Sequence, residues 1–272
     1  MAEKLTVLVP AYNEEELIGD CLESVKWADE VFVVDSFSTD RTAEIARSCG
    51  ARIVQHEYVN SATQKNWAIP QASHDWVLVI DCDERATPEA AAEIRDILAK
   101  GPEKDAYRIA RRSFFFGKEI RHCGWETDKV TRLFKRDARY RDREVHADID
   151  TTGLSVGELK GTFLHYTTRS FAQYFEKFGR YTTWAANDLF KKGRRAGFLS
   201  LTVRPAARFF KMYFLRLGFL DGLHGLVLCT LAAMSVFMKY AKLWAMQLGA
   251  GYAAPVAEAE QSAPEPPKDA AD

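Results

Sequence analysis

No glycine-rich phosphate loop follows the first apolar run of this sequence, residues 5–9; the missing G-x-G-x-x-G argues against a classical dinucleotide site. Cysteine is scarce. The five, Cys21, Cys49, Cys82, Cys123 and Cys229, are scattered and form no C-x-x-C pair. That argues against a disulfide framework or a zinc site and fits reduced thiols in a cytoplasmic protein. Met1 to Lys4 lead straight into a β-rich run, so no secretory signal is expected. One-sided charge is missing as well: 37 Lys and Arg stand against 38 Asp and Glu. A long hydrophobic run is also lacking. The nearly uncharged stretch 223–238, about sixteen residues with His224 inside and Lys239 and Lys242 behind it, is short for a membrane span.

What is there can fold. Apolar residues make up 47% of the 272, enough to bury a core in one large domain or in one domain with an appendage. Residues 5–9, 31–34, 52–55 and 76–80 are aliphatic-rich runs, and helical spacing lies between them, at 14–25 with Asn13 as N-cap and at 43–49. Thr87 and Pro88 start a further helix as N-cap and first residue. Strands alternating with helices predict a parallel sheet with right-handed crossovers. In such sheets ligands sit at the carboxyl ends of the strands.

Three of these runs end in chemistry. The first ends at Pro10-Ala11-Tyr12-Asn13-Glu14, the second at Asp35, and the fourth at Asp81-Cys82-Asp83-Glu84. Acids at the end of a buried strand are costly unless something binds them. In an extended segment Asp81 and Asp83 would leave on the same side and converge on a hard divalent ion, Mg²⁺ or Mn²⁺.

Together with Gln64-Lys65-Asn66-Trp67-Ala68, Arg132-Leu133-Phe134 and Gly218-Phe219-Leu220-Asp221-Gly222, these stretches resemble the inverting family 2 glycosyltransferases. Within that family they are most like the bacterial lipopolysaccharide inner-core β-glucosyltransferase type. The resemblance runs from about residue 5 to about residue 248 and implies a Rossmann-like α/β domain of the GT-A class. It places the nucleotide sugar, a UDP-sugar, on Pro10, Ala11, Tyr12, Glu14, Asp35, Lys65, Asp81 and Cys82, with Asp35 reading the base and Asp83 as the metal ligand. The family often carries two acids where this chain has Asp35-Ser36.

Inversion needs a base near the acceptor hydroxyl. Asp128 is the first candidate and Glu144 the second, with Trp125 and His146 as acceptor-site residues. Relatives carry His-Glu where this chain has His146-Ala147. Residues 113–118 read as a hairpin beside the acceptor.

The neutral total hides a division. Residues 169–248 hold thirteen Lys and Arg against three acids, interleaved with aromatics at helical spacing (Phe171, Tyr174, Phe175, Phe178, Tyr181). The boundaries expected are 1–168 for the transferase domain, 169–248 for a basic, aromatic helical region lying on anionic lipid, and 249–272 for a disordered tail of Ala, Pro and acids. No nucleic-acid motif accompanies the basic charge. The expected enzyme is cytoplasmic and peripheral at the inner face of the cytoplasmic membrane. It would transfer a sugar, glucose first, to a lipid-linked saccharide of the lipopolysaccharide inner core. Rival readings are a polyprenyl-phosphate glycosyltransferase, a nucleotide-binding scaffold of the same fold, and a nucleotidyltransferase.

Overall fold

A computed structural model describes residues 2–126, 128–141, 148–168 and 170–249. The first half alternates as its apolar pattern predicts: β1 (Leu5–Ala11), α1 (Ile18–Val25), β2 (Glu30–Asp35), α2 (Thr42–Ser48), β3 (Arg52–Gln55), α3 (Ser61–Ala68) and β4 (Trp76–Val79). After the short β5 (Glu84–Ala86) and α4 (Pro88–Lys100) the alternation gives way to strands: β6 (Ala106–Phe115), β7 (Lys118–Glu119), β8 (Lys129–Lys135) and β9 (Val156–Thr168). Thr87 caps α4, its side chain accepting from the Ala90 N–H at 3.3 Å, and Pro88 takes the first position.

Among the described residues the strands form one sheet in the order β3-β2-β1-β4-β8-β6-β9-β5, with β7 on β6. The four strands β1 to β4 are mutually parallel where they pair. The second half mixes directions: β8 is antiparallel to β4 and β6, β9 is parallel to β6, and β5 is antiparallel to β9. The expected alternation therefore stops at β4. Two reversals in sequence still bring β6 and β9 back into the direction of β1, so six strands end at one edge.

The runs read as doubly buried are so. Val7, Val9, Val33 and Leu78 face a core shared with α1, α2 and α4, and Leu8, Phe32, Val34, Val77 and Val79 face one shared with α3. Each such aliphatic residue contributes roughly 1.5–3 kcal/mol on burial.

One boundary moves. The helix after β1 begins at Ile18, not Glu14, and Leu17 precedes it with no side-chain cap. Asn13 instead takes a left-handed conformation, φ 51°, and holds the loop after β2: its Oδ1 accepts from the Thr39 N–H at 2.8 Å and its own N–H donates to Ser38 Oγ at 2.9 Å. Asn tolerates that conformation, and a tertiary partner outbids the local cap.

The C-terminal part is helical: α5 (Phe171–Lys191), α6 (Phe198–Leu201), α7 (Val203–Phe210), a π-helical turn Lys211–Leu215, a 3₁₀ turn Gly218–Asp221 and α8 (Gly222–Gln247). The uncharged stretch thus sits in a helix of 26 residues. Counted with the turn before it, the segment is long and apolar enough to cross a membrane by length and composition. Asp221, 3% exposed, clasps this region to the sheet. Its carboxylate accepts from the N–H groups of Arg121 and His122 at 3.1 and 2.9 Å, and its carbonyl accepts from Lys118 Nζ at 2.8 Å. A Cβ on Gly225 would lie 1.9 Å from the Gly218 carbonyl oxygen, so only glycine lets α8 start against that turn. Residues 250–272, expected to be disordered, lie outside the described residues.

At the opposite edge Glu30, at the start of β2, gathers four donors. Thr6 Oγ1, the Ser73 N–H and Oγ, and Arg52 Nε all reach it within 2.6–2.8 Å. Burial alone would raise its pKa, but these bonds bring it down to about 2. The folded value lies below the unfolded value of about 4.3, so the stabilisation is full above that pH and is lost as pH falls through 2. Acid titration of Glu30→Gln should show a flatter loss of stability between about pH 4.5 and 2 than the wild type, and a lower stability at pH 7 by about 3 kcal/mol at most.

Candidate active site

The shared carboxyl edge collects the three strand ends. Ala11 and Asp35 finish β1 and β2 side by side, with the Ser36 N–H on the Ala11 carbonyl at 2.9 Å. Asp35 is fully buried. Ser38 donates to it through its N–H at 3.2 Å and its hydroxyl at 2.5 Å, and Gln55 Nε2 donates at 3.1 Å. It shapes the loop that Asn13 holds from the other side. Gln64 on α3 reaches Ser36 Oγ at 2.5 Å, and the Glu14 N–H donates to Thr42 Oγ1 at 2.7 Å. Tyr12 stands more than half exposed at the mouth of this loop pair. β1 connects to β2 on one side and pairs β4 on the other, so the edge is a topological switch point of the kind where α/β sheets bind ligands.

Asp81, Cys82 and Asp83 form a turn between β4 and β5, not an extended segment, so the two aspartates do not project together. Asp81 accepts from Lys65 Nζ at 2.9 Å through one oxygen and from Arg132 Nη2 at 2.5 Å through the other. Asp83 faces His165 on β9 instead, with Oδ2 3.6 Å from Nε2, and the other ring nitrogen lies 3.2 Å from Ser113 Oγ. The Cys82 side chain points inward, Sγ on the Pro10 carbonyl at 3.3 Å, and burial pushes its thiol far up. Any contact it makes with a ligand is through its backbone.

From Asp81 a chain of alternating charges runs into the second half of the sheet. Arg132, on β8 and 4% exposed, joins Asp81 to Glu84 at 2.6 Å. Glu84, fully buried, also accepts from Arg111 Nη1 at 3.1 Å and from the Asp81 N–H at 3.0 Å. Arg111, on β6, ends on Asp128 in a bidentate pair at 2.9 and 3.0 Å. The order Lys65–Asp81–Arg132–Glu84–Arg111–Asp128 is three cations and three anions. Burial would raise the Asp81 pKa, but Arg132 and Lys65 hold it far below the ordinary carboxylate range. Burial would lower those of Lys65 and Arg132, and Asp81 holds both above theirs, with Glu84 adding to the effect on Arg132. For Asp83 burial is again outweighed, here by His165, and its pKa falls.

Comparison with known proteins now decides the family. The family model described as glycosyl transferase family 2 matches residues 6–154. This chain belongs to glycosyl transferase family 2. An uncharacterized glycosyltransferase of Rickettsia prowazekii (strain Madrid E) is 30% identical over 254 residues, 89% of this chain and 87% of the relative. The lipopolysaccharide core biosynthesis glycosyltransferase LpsC of Rhizobium meliloti (strain 1021) is 28% identical over 87% of this chain and 93% of its own. Among solved structures, glucosyl-3-phosphoglycerate synthase from Mycobacterium tuberculosis, in complex with Mn²⁺, UDP and glucosyl-3-phosphoglycerate, aligns over 41% of this chain and 44% of its own at 26% identity and a TM-score of 0.35.

The fold of this family 2 enzyme is GT-A, its sheet followed by a helical C-terminal region, and its chemistry is inverting glycosyl transfer. Its edge gathers Pro10, Ala11, Asp35, Lys65, Asp81, Cys82 and Asp83, and reaches Asp128 through the charge chain. Trp125, half-buried, packs edge-on to Phe115, centroids 6.4 Å apart, against the apolar cluster under α8, and its carbonyl accepts from the Asp128 N–H at 3.2 Å. Glu144 and His146 lie outside the described residues.

A divalent ion can be tested against this donor set. Asp81 has both oxygens in ion pairs, which leaves the Asp83 carboxylate and the His165 imidazole turned to one another. Among the described residues no group of three His, Cys, Asp or Glu converges. Two protein ligands fit an ion that takes its remaining oxygens from a diphosphate and water, the usual habit of Mg²⁺. His165 was not legible as a site residue, because it lies 82 positions after Asp83 and only the β5–β9 pairing brings them together. Arg111 and the role of Glu84 were missed for the same reason.

Removing one member of a buried ion network leaves its neighbours uncompensated and costs about 3–5 kcal/mol. Glu84→Gln should therefore lower the melting temperature by roughly 6–15 °C for a domain of this size. Glu44→Gln, which breaks the surface pair with Arg41, should leave it unchanged in the same thermal scan.

Proposed function

We propose that this enzyme transfers a sugar, glucose as first choice, from a UDP-sugar to a hydroxyl of a lipid-linked saccharide of the lipopolysaccharide inner core. The observation that carries the reading is the 81–83 turn at the carboxyl edge, where one aspartate is spent on the charge chain and the other is left facing His165. The printed function of the Rhizobium relative, lipopolysaccharide core biosynthesis, supports the acceptor class.

In this reading the uracil lies between the Tyr12–Asn13 loop and the Ser36–Asp40 loop. Asp35 fixes the latter, and the exposed Tyr12 ring supplies a face. Lys65 and Arg132 hold Asp81 ionised and at rest beside the ribose. Asp83 and His165 would hold Mg²⁺ or Mn²⁺, which when bound stabilises charge on the departing diphosphate. Asp128 accepts the proton of the attacking hydroxyl. Arg111 aims it, and the lone pairs not used by the guanidinium remain for the proton. The hydroxyl oxygen bonds to the anomeric carbon as the bond to UDP breaks on the opposite face, which inverts the centre.

The membrane-facing surface belongs to the C-terminal helices. Phe198, Leu199, Leu215, Leu220 and Leu223 are each more than half exposed, among Arg194, Arg195, Arg204, Arg208 and Lys211. Singly exposed apolar residues are ordinary, but this many along one helical region of basic sequence suit an anionic bilayer. α8 would lie on the membrane, not cross it. Its first half packs through Leu228 and Cys229 on the sheet's hairpin, and its second half packs through Tyr240 and Leu243 against α5 and its neighbours. Lys242 reinforces that packing, donating to Thr182 and Thr183 at 2.8 and 2.7 Å.

Calorimetric titration with UDP, with and without Mn²⁺, tests the donor site. Wild type should bind in a metal-dependent way and Asp83→Ala should not. Asp128→Asn should bind UDP normally and lose at least about a thousandfold in kcat. Full activity in Asp128→Asn would move the base to Glu144, and the absence of any nucleotide binding would sink the transfer reading. In flotation with vesicles, the full chain should bind those containing anionic lipid and release as salt rises, and the double substitution Phe198→Ser, Leu199→Ser should weaken binding several-fold without altering UDP affinity.

A further inference from the structure

The strip formed by β5, β9 and β6 has two faces. Glu84, His165 and Ser113 are register partners on the face that meets Asp83. Side chains alternate along strands, so Arg85, Tyr166 and Phe114 turn to the reverse face. There, against the residues that open α1, they line a cavity of about 660 Å³. That size is usual for a small-molecule site.

The lining is specific. Phe114 and Tyr166 stack, centroids 5.0 Å apart and planes 24° from parallel, making one continuous aromatic platform. The Arg85 guanidinium stands 5.8 Å from the Tyr166 centroid. It is fixed there by donating to the carbonyls of Cys82, Glu84 and Leu17 at 2.7–2.8 Å. Glu16 and Asp20 bring carboxylates to the cavity from the α1 side. Phe116 closes the far end. It sits at φ 48° in the two-residue turn of the β6–β7 hairpin, a conformation costly for a bulky residue, and its ring rests 4.6 Å from that of Phe171. None of these side chains belongs to the charge chain, and Tyr166 meets Asp83 through its backbone, its N–H donating to the Asp83 carbonyl at 2.8 Å.

We propose that this cavity is a binding subsite for a neutral saccharide, holding the part of the acceptor remote from the reacting hydroxyl; the assignment to the acceptor rests on the function proposed above. The apolar face of a pyranose matches the stacked rings, and its hydroxyl pairs match carboxylates. The Arg85 guanidinium spends its Nη donors on three carbonyls and has Asp20 Oδ2 3.7 Å from Nη2, so it offers little to a phosphate or carboxylate group and the cavity disfavours a nucleotide. The donor turn lies on the other face of the strip. A single sugar cannot serve both sites, but a chain of sugars can pass around the tips of β6 and β9. The Phe116–Phe171 contact places the cavity beside the start of the basic, aromatic helices, where the lipid end of such an acceptor would be anchored.

The test uses dephosphorylated core oligosaccharide, released from lipopolysaccharide by mild acid, as the probe. Its binding to the full chain is measured by saturation-transfer NMR, beside calorimetric UDP–Mn²⁺ binding on the same samples. Wild type should bind the oligosaccharide. Tyr166→Ala should bind it at least tenfold more weakly and Asp20→Asn about threefold more weakly, with UDP affinity unchanged in both. The phosphorylated form of the same oligosaccharide should bind wild type more weakly than the dephosphorylated one. Absence of wild-type binding, or equal binding by the variants, overturns the proposal. Should Tyr166→Ala also lose UDP binding through misfolding, Asp20→Asn decides, since that side chain is 85% exposed and its removal leaves the fold intact. Oligosaccharide binding that depends on Tyr166 and Asp20 in a chain that binds no UDP would sink the donor reading and leave this site standing.

Discussion

Six charges placed in alternation hold the active edge together. Each of Lys65, Asp81, Arg132, Glu84, Arg111 and Asp128 is tolerable in its place because its neighbour has the opposite sign. The chain begins on α3, crosses the turn after β4, and ends beside β8. It therefore ties the parallel half of the sheet to the mixed half. Its main consequence is a division of labour within one short turn. Asp81 is held on both oxygens by Lys65 and Arg132, and Asp83, two residues on, stands outside the chain and faces His165.

A second constraint fixes where the helical region sits. Asp221 satisfies two backbone N–H groups of the loop after β7, and the glycine at 225 lets α8 touch the turn that carries Asp221. Buried polar groups left unpaired are costly, so this clasp is directional in a way that the apolar cluster of Phe115, Ile120, Met212 and Leu228 is not. It sets the basic, aromatic surface on the side of the β6–β7 hairpin.

Much of this was legible in the chain. The doubly buried strands announce themselves as uninterrupted aliphatic runs, and Thr87-Pro88 marks a helix start by local chemistry alone. The hairpin at Phe116-Gly117 shows as an aromatic run broken by glycine. Asn13 misled because its capping chemistry is real but is used on the loop after β2. Asp81 and Asp83 misled through an assumed extended backbone: a turn sends neighbouring side chains to different partners. The stretch around residues 223–238 looked too short because charge, not helical continuity, set its apparent ends.

The sequence by itself determined the parallel first half, the family, and the run of acids that ends the fourth strand, because strand burial and strand-end chemistry are local properties of consecutive residues. Only the tertiary structure decided that Asp81 joins the charge chain while Asp83 faces His165, that Arg111 occupies both oxygens of Asp128, and that Tyr166, Phe114 and Arg85 enclose a cavity on the reverse face. Those facts depend on pairing β5 with β9 and β8 with β6 across scores of residues. Register between distant strands is set by the whole core and leaves no mark in the spacing of the residues it unites.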